Sequence, residues 1–246
     1  LNCSMITNGV KLDNVEMGSL AKLDWLGVSV DAGTQETYKK VRRPHLDGTF
    51  NRVIRNITSV VDNAGLEVTY KFLINKYNIG DIVEAVKIAK NSGCTQIHIR
   101  PIGCTWWEEA KKIFTNTEVE QALNEVEKAR DTYEDGDFKV FGITHKFGEN
   151  WKASNPFDKC WATFMFMLIE PTGTISTCCD NRGNEKTMLA KDLDNPEDIK
   201  KWWGSDRHFE IFKSINPEKC PRCTLTIHNQ AFESCVLNDT MYCNYI

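Results

Sequence analysis

No hydrophobic run in this sequence approaches the ~20 residues that a bilayer span needs, and the N-terminus lacks the charged segment followed by an apolar one that marks a signal peptide. Charge of one sign is not in excess either. Lys and Arg number 30 against 34 Asp and Glu, a net charge of −4, and the two signs are interspersed, so no face for a phosphate backbone stands out. The loops that cradle phosphates are missing too: there is neither a G-x-G-x-x-G nor a Walker sequence. An H-E-x-x-H helix is absent, and the five histidines (His45, His98, His145, His208 and His228) are scattered. These absences predict a cytoplasmic protein that binds neither membrane nor nucleic acid.

What the sequence has in quantity is cysteine. Of the 10, Cys3, Cys94 and Cys104 are spread through the first part of the chain, whereas Cys160, Cys178, Cys179, Cys220, Cys223, Cys235 and Cys243 crowd toward its end. A secreted disulfide framework is usually a shorter chain with a signal peptide. Clustered thiols in a reducing compartment more often hold metal.

Before the cysteines crowd together, strands and helices alternate. Strands are predicted at "CSMITNG" (from Cys3), "WLGVSVDA" (from Trp25), "EVTYKFLIN" (from Glu67), "QIHIRPI" (from Gln96) and "FKVFGI" (from Phe138). The second is a nearly continuous apolar run, as in a buried parallel strand. Helices are predicted from Asp13 to Leu23, from Phe50 to a stop at Gly65, from Gly80 to Gly93, and from Asn116 to Tyr133 with a capping box at Thr117 and Glu120. Strand and helix recurring at roughly 30-residue spacing mean βαβ units around a parallel sheet or barrel. The pattern breaks near Asn150, which predicts an α/β domain over 1–150 and a smaller one over 151–246. The chain opens on Leu1 within residues that read as a strand edge, and is therefore expected to be part of a longer protein.

In parallel α/β folds ligands gather at the carboxyl ends of the strands. Those ends carry Thr7-Asn8-Gly9, Ser29-Val30-Asp31, Asn75 and Arg100, a polar set suited to a small molecule with a ribose and an amino-acid end. Asp31 and Asn75 read equally well as caps of the helices that follow. The basic run "KKVRRPH" from Lys39 is by composition a solvated helix face.

The cysteine-rich tail is more specific. "CWATFMFMLIEPTGTISTCC" spaces Cys160 and Cys178 as C-x12-G-x4-C across a hairpin turning at Pro171 and Gly173, which is expected to set its two ends side by side. "CPRC" adds Cys220 and Cys223 as a C-x2-C knuckle. Four thiolates from two segments suit zinc or a [4Fe–4S] cluster, and spacing does not decide between them.

"TNG", "LGVSVDAGTQETYKKVR", "FLINKYN" and "IHIRP" resemble, in order, the third to sixth strands of the radical S-adenosylmethionine (radical SAM) barrel. The tail resembles the auxiliary-cluster region of its SPASM and Twitch subfamily. The resemblance implies a partial (β/α)6, TIM-like barrel lacking its first strands, followed by a small cysteine-rich Twitch/SPASM domain. It places Ser29 and Asp31 near the ribose and methionyl part of S-adenosylmethionine, Arg42 on the cofactor carboxylate, and Asn75 on the ribose. It implies that Cys160, Cys178, Cys220 and Cys223 hold an auxiliary [4Fe–4S] cluster, with Cys179 beside it and Cys235 and Cys243 structural.

The activity implied is hydrogen abstraction by a 5′-deoxyadenosyl radical from a peptide or small-molecule substrate, with electrons from a donor such as flavodoxin or ferredoxin. No catalytic residue is assigned. The C-x3-C-x2-C loop that holds the radical-generating cluster is nowhere in these residues, so the chain alone is expected to be inactive. A competing expectation is a non-catalytic zinc- or cluster-binding module that binds a protein partner through the tryptophans of "TWWEEA" and "KWWGSD".

Overall fold

The computed structural model describes residues 2–102, 113–147, 157–220 and 223–237. They fall into two compact units, divided between the residues that end at 147 and those that begin at 157. "TWWEEA", Cys104 and Cys243 lie outside the described residues. No helix among the described residues is long and apolar enough to cross a membrane.

The first unit is a five-stranded sheet with its strands in sequence order, β1 (Ser4–Thr7), β2 (Trp25–Ser29), β3 (Val68–Ile74), β4 (Gln96–Pro101) and β5 (Lys139–Gly142), every neighbouring pair parallel. Each strand predicted from the sequence is present. Parallel neighbours need crossovers, and these are supplied by α1 (Met17–Leu20), α2 (Gln35–Arg42), α3 (Thr49–Ala64), α4 (Ile82–Asn91) and α5 (Asn116–Tyr133).

Strand residues alternate between the two faces of the sheet. Leu26, Val28, Tyr70, Phe72, Ile97 and Ile99 are fully buried in one apolar core with Val53, Ile57, Val60 and Ala89 of the helices. Trp25, Ser29, Lys71, His98 and Arg100 alternate with them and are only half-buried. The apolar reading of β2 therefore needs correction at its two ends, where Trp25 and Ser29 belong to the other face.

Two helices also differ from expectation. The predicted helix from Asp13 to Leu23 is split into a 3₁₀ turn at Leu12–Asn14 and the single-turn α1, because Val15 and Glu16 are extended. The capping box of α5 lies two residues upstream of the predicted one. Thr115 Oγ1 accepts from the Glu118 amide at 3.2 Å, and the Glu118 carboxylate accepts from the Thr115 amide at 2.7 Å. Helix α3 stops as predicted, with Gly65 in the left-handed region at φ 59°.

The second unit is built on a three-stranded antiparallel sheet of β6 (Leu168–Ile169), β7 (Ile175–Ser176) and β8 (Met188–Ala190). It also contains α6 (Ile199–Trp202), α7 (Asp206–Ser214) and α8 (Thr226–Phe232). The hairpin at Pro171 and Gly173 is there, closed by the Gly173 amide donating to Glu170 O at 2.9 Å. Its strands are much shorter than the apolar run before them suggests. Residues Trp161–Phe164 coil into a 3₁₀ turn, so Cys160 precedes that turn and does not stand at a strand end.

Candidate cofactor and cluster sites

The rim of the first unit is organised around Asp31, which follows β2. Its φ of 61° is left-handed, a region that asparagine and aspartate enter more readily than other side chains. Its residue surface is 4 % exposed. One carboxylate oxygen accepts from the Leu73 amide at 2.8 Å, and the other pairs with Arg42 Nη2 at 2.7 Å. Burial pushes the Asp31 carboxyl above its usual range, against the pull of Arg42, the Leu73 amide and Arg100.

Two residues the sequence reading passed over hold this loop in place. Asn78 is buried, donates to Asp31 O at 2.8 Å and Leu73 O at 2.9 Å, and accepts from the Asn75 amide at 2.7 Å. Asp81 accepts from the Gly33 amide at 2.6 Å and the Thr34 amide at 3.0 Å. The loop thereby lies against the start of α4 so closely that a Cβ on Gly33 would stand 2.5 Å from the Ala85 nitrogen. Thr34 then caps α2 by accepting from the Thr37 amide, which aims the far end of that helix, and Arg42, back at Asp31. The signal in the sequence is the pair of Asx residues after "FLIN", three residues apart, within a loop too short to leave them exposed.

The predicted rim residues are only partly brought together. Asp31 and Arg42 form an ion pair. Ser29 ends β2, half-buried, in register with Lys71. Asn75 follows β3 but uses its side-chain oxygen locally, accepting from the Tyr77 amide at 2.9 Å in an Asx turn, and it does not cap the helix that follows, whose N-cap positions fall to Asn78 and Asp81. Thr7 and Asn8 likewise accept from the amides of Gly9 and Val10. Arg42 Nε is buried and finds no hydrogen-bond partner among the described residues. A guanidinium with one edge on Asp31 and a donor unsatisfied has the capacity left to take a ligand carboxylate.

In the second unit, Asn229 is fully buried on α8 and joins the segments that carry the cysteines. It accepts from the Ala162 amide at 2.8 Å, donates to Leu225 O at 3.1 Å, and directs its amide to Cys223 Sγ at 4.0 Å. Asp180 makes the other tie, accepting from the Thr224 amide at 2.6 Å and its hydroxyl at 2.9 Å. Cys178 and the knuckle are thus linked through Asp180, and Cys160 and the knuckle through Asn229.

Burial pushes the thiols of Cys160 and Cys178 up to about 12. It raises those of Cys220 and Cys223 as well. Cys160 also feels Cys223 and Cys220, whereas Cys178 feels Asp180 and Cys179. Neutral protein surroundings therefore do not favour thiolates here, and a bound cation would be needed to hold them ionised. Among the described residues no three His, Cys, Asp or Glu side chains stand close enough together to hold a single metal ion. The described cysteines form no disulfide.

No family model matches the chain. It is 33 % identical over 104 residues to a probable GTP 3′,8-cyclase of Saccharolobus islandicus (strain Y.N.15.51 / Yellowstone #2), and 32 % identical over 104 residues to that of Saccharolobus solfataricus (strain ATCC 35092 / DSM 1617 / JCM 11322 / P2). Each match takes in 41 % of this chain and spans 33 % of the relative's length. Among solved structures it resembles Streptococcus suis SuiB bound to S-adenosylmethionine, with a TM-score of 0.57 and 15 % identity over 91 % of this chain and 55 % of that one. It also resembles native anSMEcpe with bound AdoMet, with a TM-score of 0.56 and 14 % identity over 100 % of this chain and 75 % of the other. At such identities the likeness to the solved structures is one of fold.

Proposed function

We propose that this chain, which resembles radical SAM enzymes in sequence and in fold, is the back portion of such an enzyme, acting on a peptide or small-molecule substrate and carrying an auxiliary [4Fe–4S] cluster. The observation that carries the reading is the Asp31–Arg42 pair at the carboxyl rim of a parallel sheet, with a buried guanidinium donor still unsatisfied. Arg42 is suited to the carboxylate of S-adenosylmethionine, and Ser29 and Asp31 to its ribose and methionyl part. Asn75 is left with its amide nitrogen for the ribose. Asp31 holds Arg42 in place for this, while Asn78 and Asp81 fix the loop. When bound with a reduced cluster, S-adenosylmethionine supplies a 5′-deoxyadenosyl radical that abstracts hydrogen. The C-x3-C-x2-C cysteines that hold the radical-generating cluster are not in this sequence, so the chain by itself is expected not to cleave the cofactor.

Cys160, Cys178, Cys220 and Cys223 are proposed to hold the auxiliary cluster, which would bind substrate or accept an electron. In a [4Fe–4S] cube each thiolate binds a different iron, so the four sulfurs stand farther apart than around one zinc ion. The choice of cluster over zinc rests on the likeness of the cysteine-rich tail to the SPASM and Twitch region. A peptide substrate is supported by SuiB, solved bound to the precursor peptide SuiA, and by anSMEcpe, solved with the Kp18Cys peptide. An electron donor such as flavodoxin or ferredoxin would complete the system.

Anaerobic reconstitution of the full chain tests this directly. About four irons and four sulfides per chain are expected, falling sharply in Cys220→Ala. Zinc in place of iron, or an unchanged metal content in Cys220→Ala, would overturn the assignment.

A further inference from the structure

The sheet face opposite the helices carries a second assembly, distinct from the rim loop. Lys71 on β3 and His98 on β4 are register partners, and Lys71 Nζ lies 3.2 Å from His98 Nδ1. Arg100 follows two positions along β4 and so shares their face. The Lys71 ammonium sits 5.1 Å from the centre of the Trp25 ring. Its stem crosses the indole only because Gly27 lies below. A Cβ there would be 2.6 Å from the Trp25 ring and 3.0 Å from Lys71 Cδ. On the far side Phe141, 57 % exposed, packs against His98 with ring centres 5.3 Å apart.

Among the described residues this face has positive charge without an acid paired to it. Among the described residues neither Lys71 nor Arg100 takes part in an ion pair. The acid that feels Arg100 is Asp31, and its carboxylate is already engaged by Arg42. Burial, and after it the nearby Arg100, lower the Lys71 ammonium below its ordinary value. With Lys71 as donor, His98 Nδ1 is the acceptor and the imidazole is neutral. Two cations and a neutral imidazole held on adjacent strands gain when an anion comes between them, and a guanidinium beside an ammonium matches the oxygens of a carboxylate or phosphate.

We propose that Lys71, His98 and Arg100 form a binding site for an oxyanion, a carboxylate or phosphate group carried by the substrate, with Trp25 and Phe141 as its apolar walls. Calling that anion part of the substrate rests on the enzyme reading above, whereas the binding itself does not.

The test uses the full chain with no iron and no S-adenosylmethionine added. Proton NMR of the histidine rings is followed against pH, first alone, then with inorganic phosphate, then with succinate. A bound anion favours the imidazolium, so the His98 titration should move to higher pH in at least one of the two salts. A shift with phosphate alone identifies a phosphate site, and a shift with succinate alone a carboxylate site. Arg100→Gln should weaken the anion by about tenfold or more. Arg100→Lys should recover part of that loss, and unchanged methyl signals of Ile97 and Ile99 would show the sheet intact. A His98 titration that neither anion moves, or that moves as much in Arg100→Gln and Lys71→Met as in the unaltered chain, overturns the proposal. Failure of the cluster reading would appear separately, in the iron content.

Discussion

The two units keep their polar groups in place by different means. In the first, the site rests on a broad apolar core in which strands and helices from Leu12 to Val140 bury their inner faces, and the functional rim is what projects beyond it. In the second, the buried cluster among the described residues is Ile175, Leu189, Ala190 and Ile211, with Met167, Leu193, Ile199, Trp203 and Ile215 packed against it, and the cysteine segments are joined by Asn229 and Asp180. A unit with so small an apolar core generally needs a staple such as a disulfide or a metal. Its described thiols form no disulfide, and the proposed cluster would supply such a staple there, whereas the first unit has its core.

The sharpest way to break that comparison is Asn229→Leu. The substitution removes an acceptor for the Ala162 amide and a donor to Leu225 O from a fully buried position. A loss of about 3–4 kcal/mol is expected, confined to the second unit. Hydrogen exchange that rises at Ile175 and Ile211 while Val28 and Phe72 stay protected would support it. Loss of protection in both units together would mean that they do not stand on separate supports.

Asp31→Ala is the counterpart in the first unit. It leaves the Leu73 amide and the Arg42 guanidinium without their acceptor and puts alanine at a φ of 61°. The expected cost is about 2–3 kcal/mol by denaturant unfolding, with the apolar core still able to fold the sheet. Gly33→Ala should cost somewhat less, about 1–3 kcal/mol, because its methyl group meets backbone of α4 that has to shift. Gly80→Ala serves as the control. Nothing lies within 4 Å of its Cβ position, so stability should hold or rise slightly.

The difference between the units also governs how much of each was legible in the sequence. Strand and helix order in the first unit follows from hydrophobic period, so all five strands could be read and Asp31 placed at a strand end, whereas Arg42, in a run that composition makes a solvated helix face, was singled out only by the family resemblance. The period does not report which caps win. Thr115 displaced Thr117 because its own side chain and that of Glu118 satisfy each other's amides. Nor does it report Asn78 and Asp81, whose importance comes from a loop folding back over α4. On β2 the run "WLGVSVDA" reads as nearly continuously apolar, and the register with Lys71 shows that Trp25 and Ser29 face the other way. In the second unit the cysteine spacing was visible, but a two-residue strand carries no period. The 3₁₀ turn after Cys160 and the ties through Asn229 and Asp180 depend on contacts far apart in sequence.

The smallest expected effect is a pH dependence that belongs to the second unit alone. His208 is fully buried, accepts from the Gly204 amide at Nδ1 at 3.0 Å, and lies 2.8 Å from Thr163 O at Nε2, with the rings of Trp203 and Phe164 tilted against it. These partners fix the neutral ring with its proton on Nε2, since protonating Nδ1 would set one N–H against another. Burial lowers the folded-state pKa below the ordinary 6.5, although the Thr163 carbonyl pulls the other way. Above about pH 6.5 the ring is neutral whether folded or not, and its contribution is fully present. As pH falls below that value the unfolded chain takes up the proton first, so stability is lost as pH drops toward and through the folded pKa. The raised thiols titrate on the alkaline side and do not enter this window. Urea unfolding followed through the second unit's amides at about pH 8 and about pH 5 should show the acid loss. His208→Gln offers an acceptor and a donor without a titration, and should flatten it. An equal loss in the variant would place the acid sensitivity elsewhere and leave His208 as a packing residue only.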